Sequence, residues 1–160
     1  YKAARVLEKG MNTAQVEKEA KNYRLLSQAW TLAQEDDKAV PALKEAARLS
    51  DDGVLDVRLA QSYLNLSRYK ECVEAARKGI RKGDLKRADS ANMVLGMCLF
   101  ESDNLDGAKN AFRQAAKDGR SKKNANSWLN FIQNEQKRLK QLQRQLDSMR
   151  QASLGAPNTY

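Results

Sequence analysis

Apolar residues recur three and four apart along this chain, and small residues keep step with the large ones. Three octets carry the pattern: Tyr23-Arg24-Leu25-Leu26-Ser27-Gln28-Ala29-Trp30, Asp56-Val57-Arg58-Leu59-Ala60-Gln61-Ser62-Tyr63 and Asn92-Met93-Val94-Leu95-Gly96-Met97-Cys98-Leu99. In each, Leu stands directly before a small residue, and a large apolar residue follows three further on. That spacing is helical, with one apolar face. Downstream of each octet a second helical pattern repeats: Ala39, Leu43, Ala46; Cys72, Ala76, Gly79; Ala108, Phe112, Ala115. The units recur at intervals of 33 and then 36 residues. The pattern predicts helix hairpins, each an A helix and a B helix, in an array of about eight helices. Small side chains at Ser27, Ala60 and Gly96 let A cross close to B opposite Ala39, Cys72 and Ala108. The expected core is Leu26, Trp30, Leu43, Leu59, Tyr63, Leu95, Leu99, Phe112, Trp128 and Phe131. No hairpin can bury its stripe alone, so neighbours must stack.

Turn residues fall between the helices. Glu35-Asp36-Asp37 and Ser102-Asp103-Asn104 separate A from B, while Ser50-Asp51-Asp52-Gly53, Gly83-Asp84 and Asp118-Gly119 separate units. Asp, Asn and Ser there can cap the helix that follows. Ala3, Leu7 and Gly10 stand 36 residues before Ala39, Leu43 and Ala46, so the first residues read as the B helix of a preceding unit. The chain opens without Met on helix-like sequence, and the expectation is a piece of a longer protein. The repeat array should span 1–133: a partial repeat at 1–15, repeats at about 20–52, 53–88 and 89–124, and a capping helix from about 122. Trp128 and Phe131 are placed at the aromatic and Leu positions of a fourth A helix. Ile132, Leu139, Leu142, Leu146 and Met149 fit heptad a and d positions, with Glu135 as the misfit. Residues 134–151 are thus either a coiled-coil seam or a solvated capping extension. A disordered tail is expected at 152–160.

The repeat resembles the tetratricopeptide repeat (TPR), whose 34-residue period lies between the two intervals observed. The third unit matches best, with Leu95, Gly96, Ala108, Phe112 and Ala115; the closing Pro of the motif is replaced by Asp51, Asp84 and Arg120. The resemblance implies an all-α, right-handed superhelix whose concave face, lined by A helices, holds a polypeptide. Counted from the motif, that groove would be lined by Arg24, Gln28, Val57, Gln61, Leu64, Met93, Met97, Phe100 and Leu129. The third A helix is apolar on nearly every side, so a partner must cover its groove side, or else Met97 and Phe100 pack on the helix around Trp128. Arg24 and Gln28 could begin a clamp for a peptide carboxylate, but Arg58, Ser90 and Val94 leave that set incomplete. Ala4-Arg5-Val6-Leu7-Glu8-Lys9-Gly10, Lys21 to Trp30 and Ser127-Trp128-Leu129-Asn130-Phe131 resemble periplasmic TPR proteins associated with TonB-type energy transduction in Gram-negative bacteria. That likeness implies a periplasmic scaffold, with the cytoplasm as the alternative compartment.

Composition narrows the chemistry. The net charge is +9 and there is no histidine, which removes the commonest general base and metal ligand together. No glycine-rich phosphate loop, Cys-x-x-Cys or catalytic triad is present. A non-enzyme is expected, with no metal, no cofactor and no small-molecule substrate. Cys72 and Cys98 sit among apolar residues and read as buried free thiols, although their repeat positions could bring them together. Basic residues crowd two stretches: Arg77, Lys78, Arg81, Lys82, Lys86 and Arg87, then Lys137, Arg138, Lys140 and Arg144. Such a stripe can be an electrostatic footprint for nucleic acid or anionic lipid. No aromatics are interleaved to stack bases, which argues against nucleic acid and for solvated helix faces. No apolar run approaches the ~20 residues of a membrane-spanning helix. A protein or peptide partner is therefore expected, with self-association through the groove or the heptad helix as the alternative.

Overall fold

The computed structural model describes residues 1–154, and among them it holds eight α-helices and no strand. They are α1 (Lys2–Asn12), α2 (Ala20–Leu32), α3 (Asp36–Leu49), α4 (Val54–Asn65), α5 (Tyr69–Lys82), α6 (Ala88–Glu101), α7 (Leu105–Ala115) and α8 (Gly119–Leu154). Helices α2 and α3, α4 and α5, and α6 and α7 form hairpins. Each hairpin stacks on the next through α3 against α4 and α5 against α6, and α8 closes the array on α7 and α6. The capping helix begins at Gly119, earlier than expected, and runs to Leu154, past the point where the tail was placed. The rest of that expected tail lies outside the described residues.

The three A-to-B turns share one backbone device. Gln34, Ser67 and Asp103 adopt the left-handed conformation, with φ of 58°, 57° and 59°. The N–H after each donates back to the carbonyl of the large apolar residue: Glu35 to Trp30, Arg68 to Tyr63 and Asn104 to Leu99, at 3.0, 2.8 and 2.9 Å. This is the Schellman closure that satisfies helix-end carbonyls. Side-chain capping is sparser than expected. Asn104 accepts from the N–H of Gly107 at 2.9 Å. Asp52 and Asp118 accept from Val54 and Arg120, but α3 has no side-chain cap.

Small residues sit at the crossings as the pattern predicts. Ser27, Ala60, Gly96, Ala39, Cys72 and Ala108 are all buried. At Gly96 the close neighbour is the ring of Phe112 rather than Ala108: a Cβ there would lie 2.6 Å from Phe112 Cε1. Phe112 cannot yield, because it is fully buried and stacked on Trp128 at 5.2 Å. Gly96→Leu should therefore cost about 1–3 kcal/mol, the usual range for an overpacked core. An unchanged thermal melt would place the crossing elsewhere. A closer approach went unforeseen. Gly53 at the head of α4 lies on Gly79 of α5, where a Cβ on Gly53 would stand 1.9 Å from the Gly79 carbonyl oxygen.

Several expected positions shift. Leu95 and Trp128 are half-buried, and Phe131 is 51% exposed. The inward positions of α8 are Ser121, Ala125 and Ile132, so the fourth A helix is turned by one residue, about 100°, from its expected register. Ile132 is thus a core residue and not part of a seam. In α1 the buried positions are Ala4, Gly10 and Met11, while Ala3 is exposed. Cys72 and Cys98 are not free thiols: they form a disulfide between α5 and α6, with Cα atoms 5.8 Å apart and both side chains fully buried. The stacking of one unit's B helix on the next unit's A helix brings them together.

Candidate interaction surfaces

Helices α4, α6 and α8 lie side by side, α4 against α6 and α6 against α8, and form a continuous A-helix face. Helix α2 does not pack directly on α4 and reaches it through α3. Arg24 and Gln28 on α2 are exposed and stand apart from the other candidates. Gln61 and Leu64 on α4, Met93 and Met97 on α6 and Leu129 on α8 are half-buried. Leu64 and Met97 lean on the core of the second unit, and Met93, Met97 and Leu129 on that of the third. Val57 is also half-buried, and its Cγ2 lies against the position of Gly79 on α5. The ring of Phe100 turns toward α8, meeting Trp128 at 5.4 Å and Phe131 at 5.6 Å. The A-helix face is therefore a shallow apolar strip with partly covered side chains. Clefts open elsewhere: one of about 580 Å³ between α3 and α5, and one of about 760 Å³ between α7 and α8.

Much of the first basic run works inside the fold. Asp56 on α4 is 1% exposed and pairs with Lys82 at 2.8 Å and Lys78 at 3.4 Å. Lys82 also donates to the carbonyls of Ala47 and Ser50 at 2.6 and 2.8 Å, capping the end of α3. One ammonium thereby ties three helices together. Asp89 at the start of α6 is equally buried, and Arg87 donates to it at 2.9 and 2.7 Å. It also accepts from the Ser121 hydroxyl of α8 at 2.7 Å. Lys78, Lys82 and Arg87 thus serve the fold as partners of buried carboxylates. The signal missed in the sequence was an acid within the first turn of an A helix with cations near unit ends.

The Arg87 guanidinium, helped by Ser121, holds Asp89 well below the usual carboxylate range against the opposing effect of burial. A depressed folded-state pKa stabilises the protein fully above the unfolded value of about 4. The contribution is lost as pH falls below that value toward the folded one. Asp89→Asn should therefore flatten the acid limb of the stability curve below about pH 4, read as urea midpoints at stepped pH. Parallel curves for the two proteins would refute the pairing.

Residues Leu139, Leu142, Leu146 and Met149 on the distal part of α8 are exposed. In the second basic run, Arg138 pairs with Glu135 on the same helix. No described helix is long and apolar enough to cross a membrane.

Stacked antiparallel helix pairs with small residues at each crossing and an A-helix face define an α-solenoid of hairpin repeats. The particular fold is the right-handed TPR superhelix. No family model matches the chain, and no curated protein matches it. Solved structures do. A structure of MamA aligns with a TM-score of 0.71 at 13% identity, over 94% of this chain and 89% of that one. A double mutant of MamA RS-1 aligns with a TM-score of 0.71 at 14% identity, over 98% and 87%. The TPR domain of Arabidopsis OM64 aligns with a TM-score of 0.63 at 17% identity, over 72% and 95%.

Proposed function

We propose that this chain is a non-enzymatic scaffold that binds a polypeptide segment along the face formed by α4, α6 and α8. The observation that carries this reading is α6. It is apolar on nearly all sides, and Met93, Met97 and Phe100 remain partly open on the A-helix face beside Leu64 and Leu129. Methionine suits such a face because its unbranched thioether adapts to differing partners. A polar Gln61 beside the strip can hydrogen-bond a bound main chain. The finer reading is a periplasmic role in a bacterial envelope complex of the TonB-associated kind. It draws on the sequence resemblance and on the Cys72–Cys98 disulfide, since such bonds persist in oxidising compartments.

A photo-crosslinking residue at Gln61 or Met93, in the intact protein within its native host, should capture a protein partner. The same residue at Glu74, exposed on the B helix α5, should not. Capture from Glu74 alone would move the binding surface to the opposite side and sink this reading.

A further inference from the structure

Helix α8 outruns the solenoid it caps. Among the described residues, its last hydrogen bonds with α7 come from Gln136, which accepts from Lys109 at 3.1 Å and donates to Asp106 at 3.4 Å. Every residue from 137 to 152 is exposed. The helix continues to Leu154, so an overhang of about 27 Å follows at 1.5 Å per residue. On it Leu139, Leu142, Leu146 and Met149 are 44%, 45%, 52% and 69% exposed. At 3.6 residues per turn Leu139 and Leu146 continue the line of the buried Ile132, and Leu142 and Met149 lie beside them, about 80–100° round on the side of Phe131. The core-facing stripe of α8 thus runs on past the core.

The stripe is narrow, the geometry of a helix–helix seam rather than of the wider face that enters a membrane surface. A second copy of α8 fits instead, and only one direction is open to it. Packed parallel, its residues 119–136 would fall where α6 and α7 already sit on the first copy. Packed antiparallel, only the two overhangs meet.

The sequence suits that arrangement. The apolar intervals of three, four and three are the same in both directions, so Leu142 faces Leu146 of the second copy and Leu139 faces its Met149. Beside the seam Gln143 and Gln145 each meet their own counterpart, Gln136 meets Arg150, and Arg138 meets Ala152. No two like charges come together. We propose that the overhang of α8 is a homodimerisation device, an antiparallel two-helix seam with its two-fold axis near Arg144. Four partly exposed side chains per copy fall at or below the roughly 1,200 Å² of a standard interface. The dimer therefore forms with rising concentration rather than permanently.

Sedimentation equilibrium of the full chain over a range of concentrations tests this. The weight-average mass should climb from that of one chain toward that of two. Leu142→Glu combined with Leu146→Glu should hold it at one chain, with the thermal midpoint of the solenoid unchanged. The paired Cys72 and Cys98 leave an added thiol as the reactive one. Gln143→Cys should then give a covalent dimer on mild oxidation, and Met149→Cys should not. A single-chain mass at every concentration, an association indifferent to the two glutamates, or growth beyond two chains would overturn the proposal. Cross-linking through Met149→Cys but not Gln143→Cys would overturn the antiparallel seam.

Discussion

Lys82→Met should destabilise the protein by about 3–4 kcal/mol, because removing one partner of a buried ion pair leaves the other without adequate compensation. Asp56 would keep only Lys78, at 3.4 Å and half exposed, and two carbonyls at the end of α3 would lose their donor. Urea unfolding measures the loss. The double variant Asp56→Leu, Lys82→Met should recover much of it, since apolar replacement of a buried pair is often near neutral. Equal losses for the single and double variants would show that the carbonyl bonds, not the ion pair, matter.

Removing the disulfide by Cys72→Ala with Cys98→Ala should cost about 3 kcal/mol, as expected for a cross-link closing a loop of this size. The bond joins residues 26 apart in sequence, and no buried space is opened beyond the two sulfur atoms. The intact oxidised chain should be two hydrogens lighter by mass spectrometry than the reduced one. A chain at full reduced mass after purification from an oxidising compartment would show that the thiols do not bond.

The hairpins were legible because their signals are local. Ser27, Ala60 and Gly96 before Trp30, Tyr63 and Leu99 announce crossings that helix geometry alone dictates, and all six are buried. The cap of the array was legible less well. Trp128, Phe131 and Ile132 offer two apolar registers one residue apart, and the stacking of Phe112 on Trp128 goes with the one that buries Ile132. Asp56 was hidden because its partner Lys82 lies in another helix, and that lysine's other partners, the carbonyls of Ser50 and Ala47, are 32 and 35 residues from it. The left-handed residues Gln34, Ser67 and Asp103 gave no warning, since none is glycine. Of the candidate groove, the close seat of Val57 on Gly79 was not legible, because it depends on a glycine of the neighbouring helix.

The placement of the disulfide across a unit boundary has a mechanical consequence. A pull on the two ends of a solenoid peels hairpins off in turn, and each releases its contour length. Here the Cys72–Cys98 bond short-circuits the tension path between the second and third units. The 26-residue stretch it closes, at about 3.5 Å per extended residue, withholds roughly 90 Å from a force–extension trace. Reducing the bond should restore that length as an added step, so the same chain would behave as a shorter, stiffer tether when oxidised and a longer one when reduced.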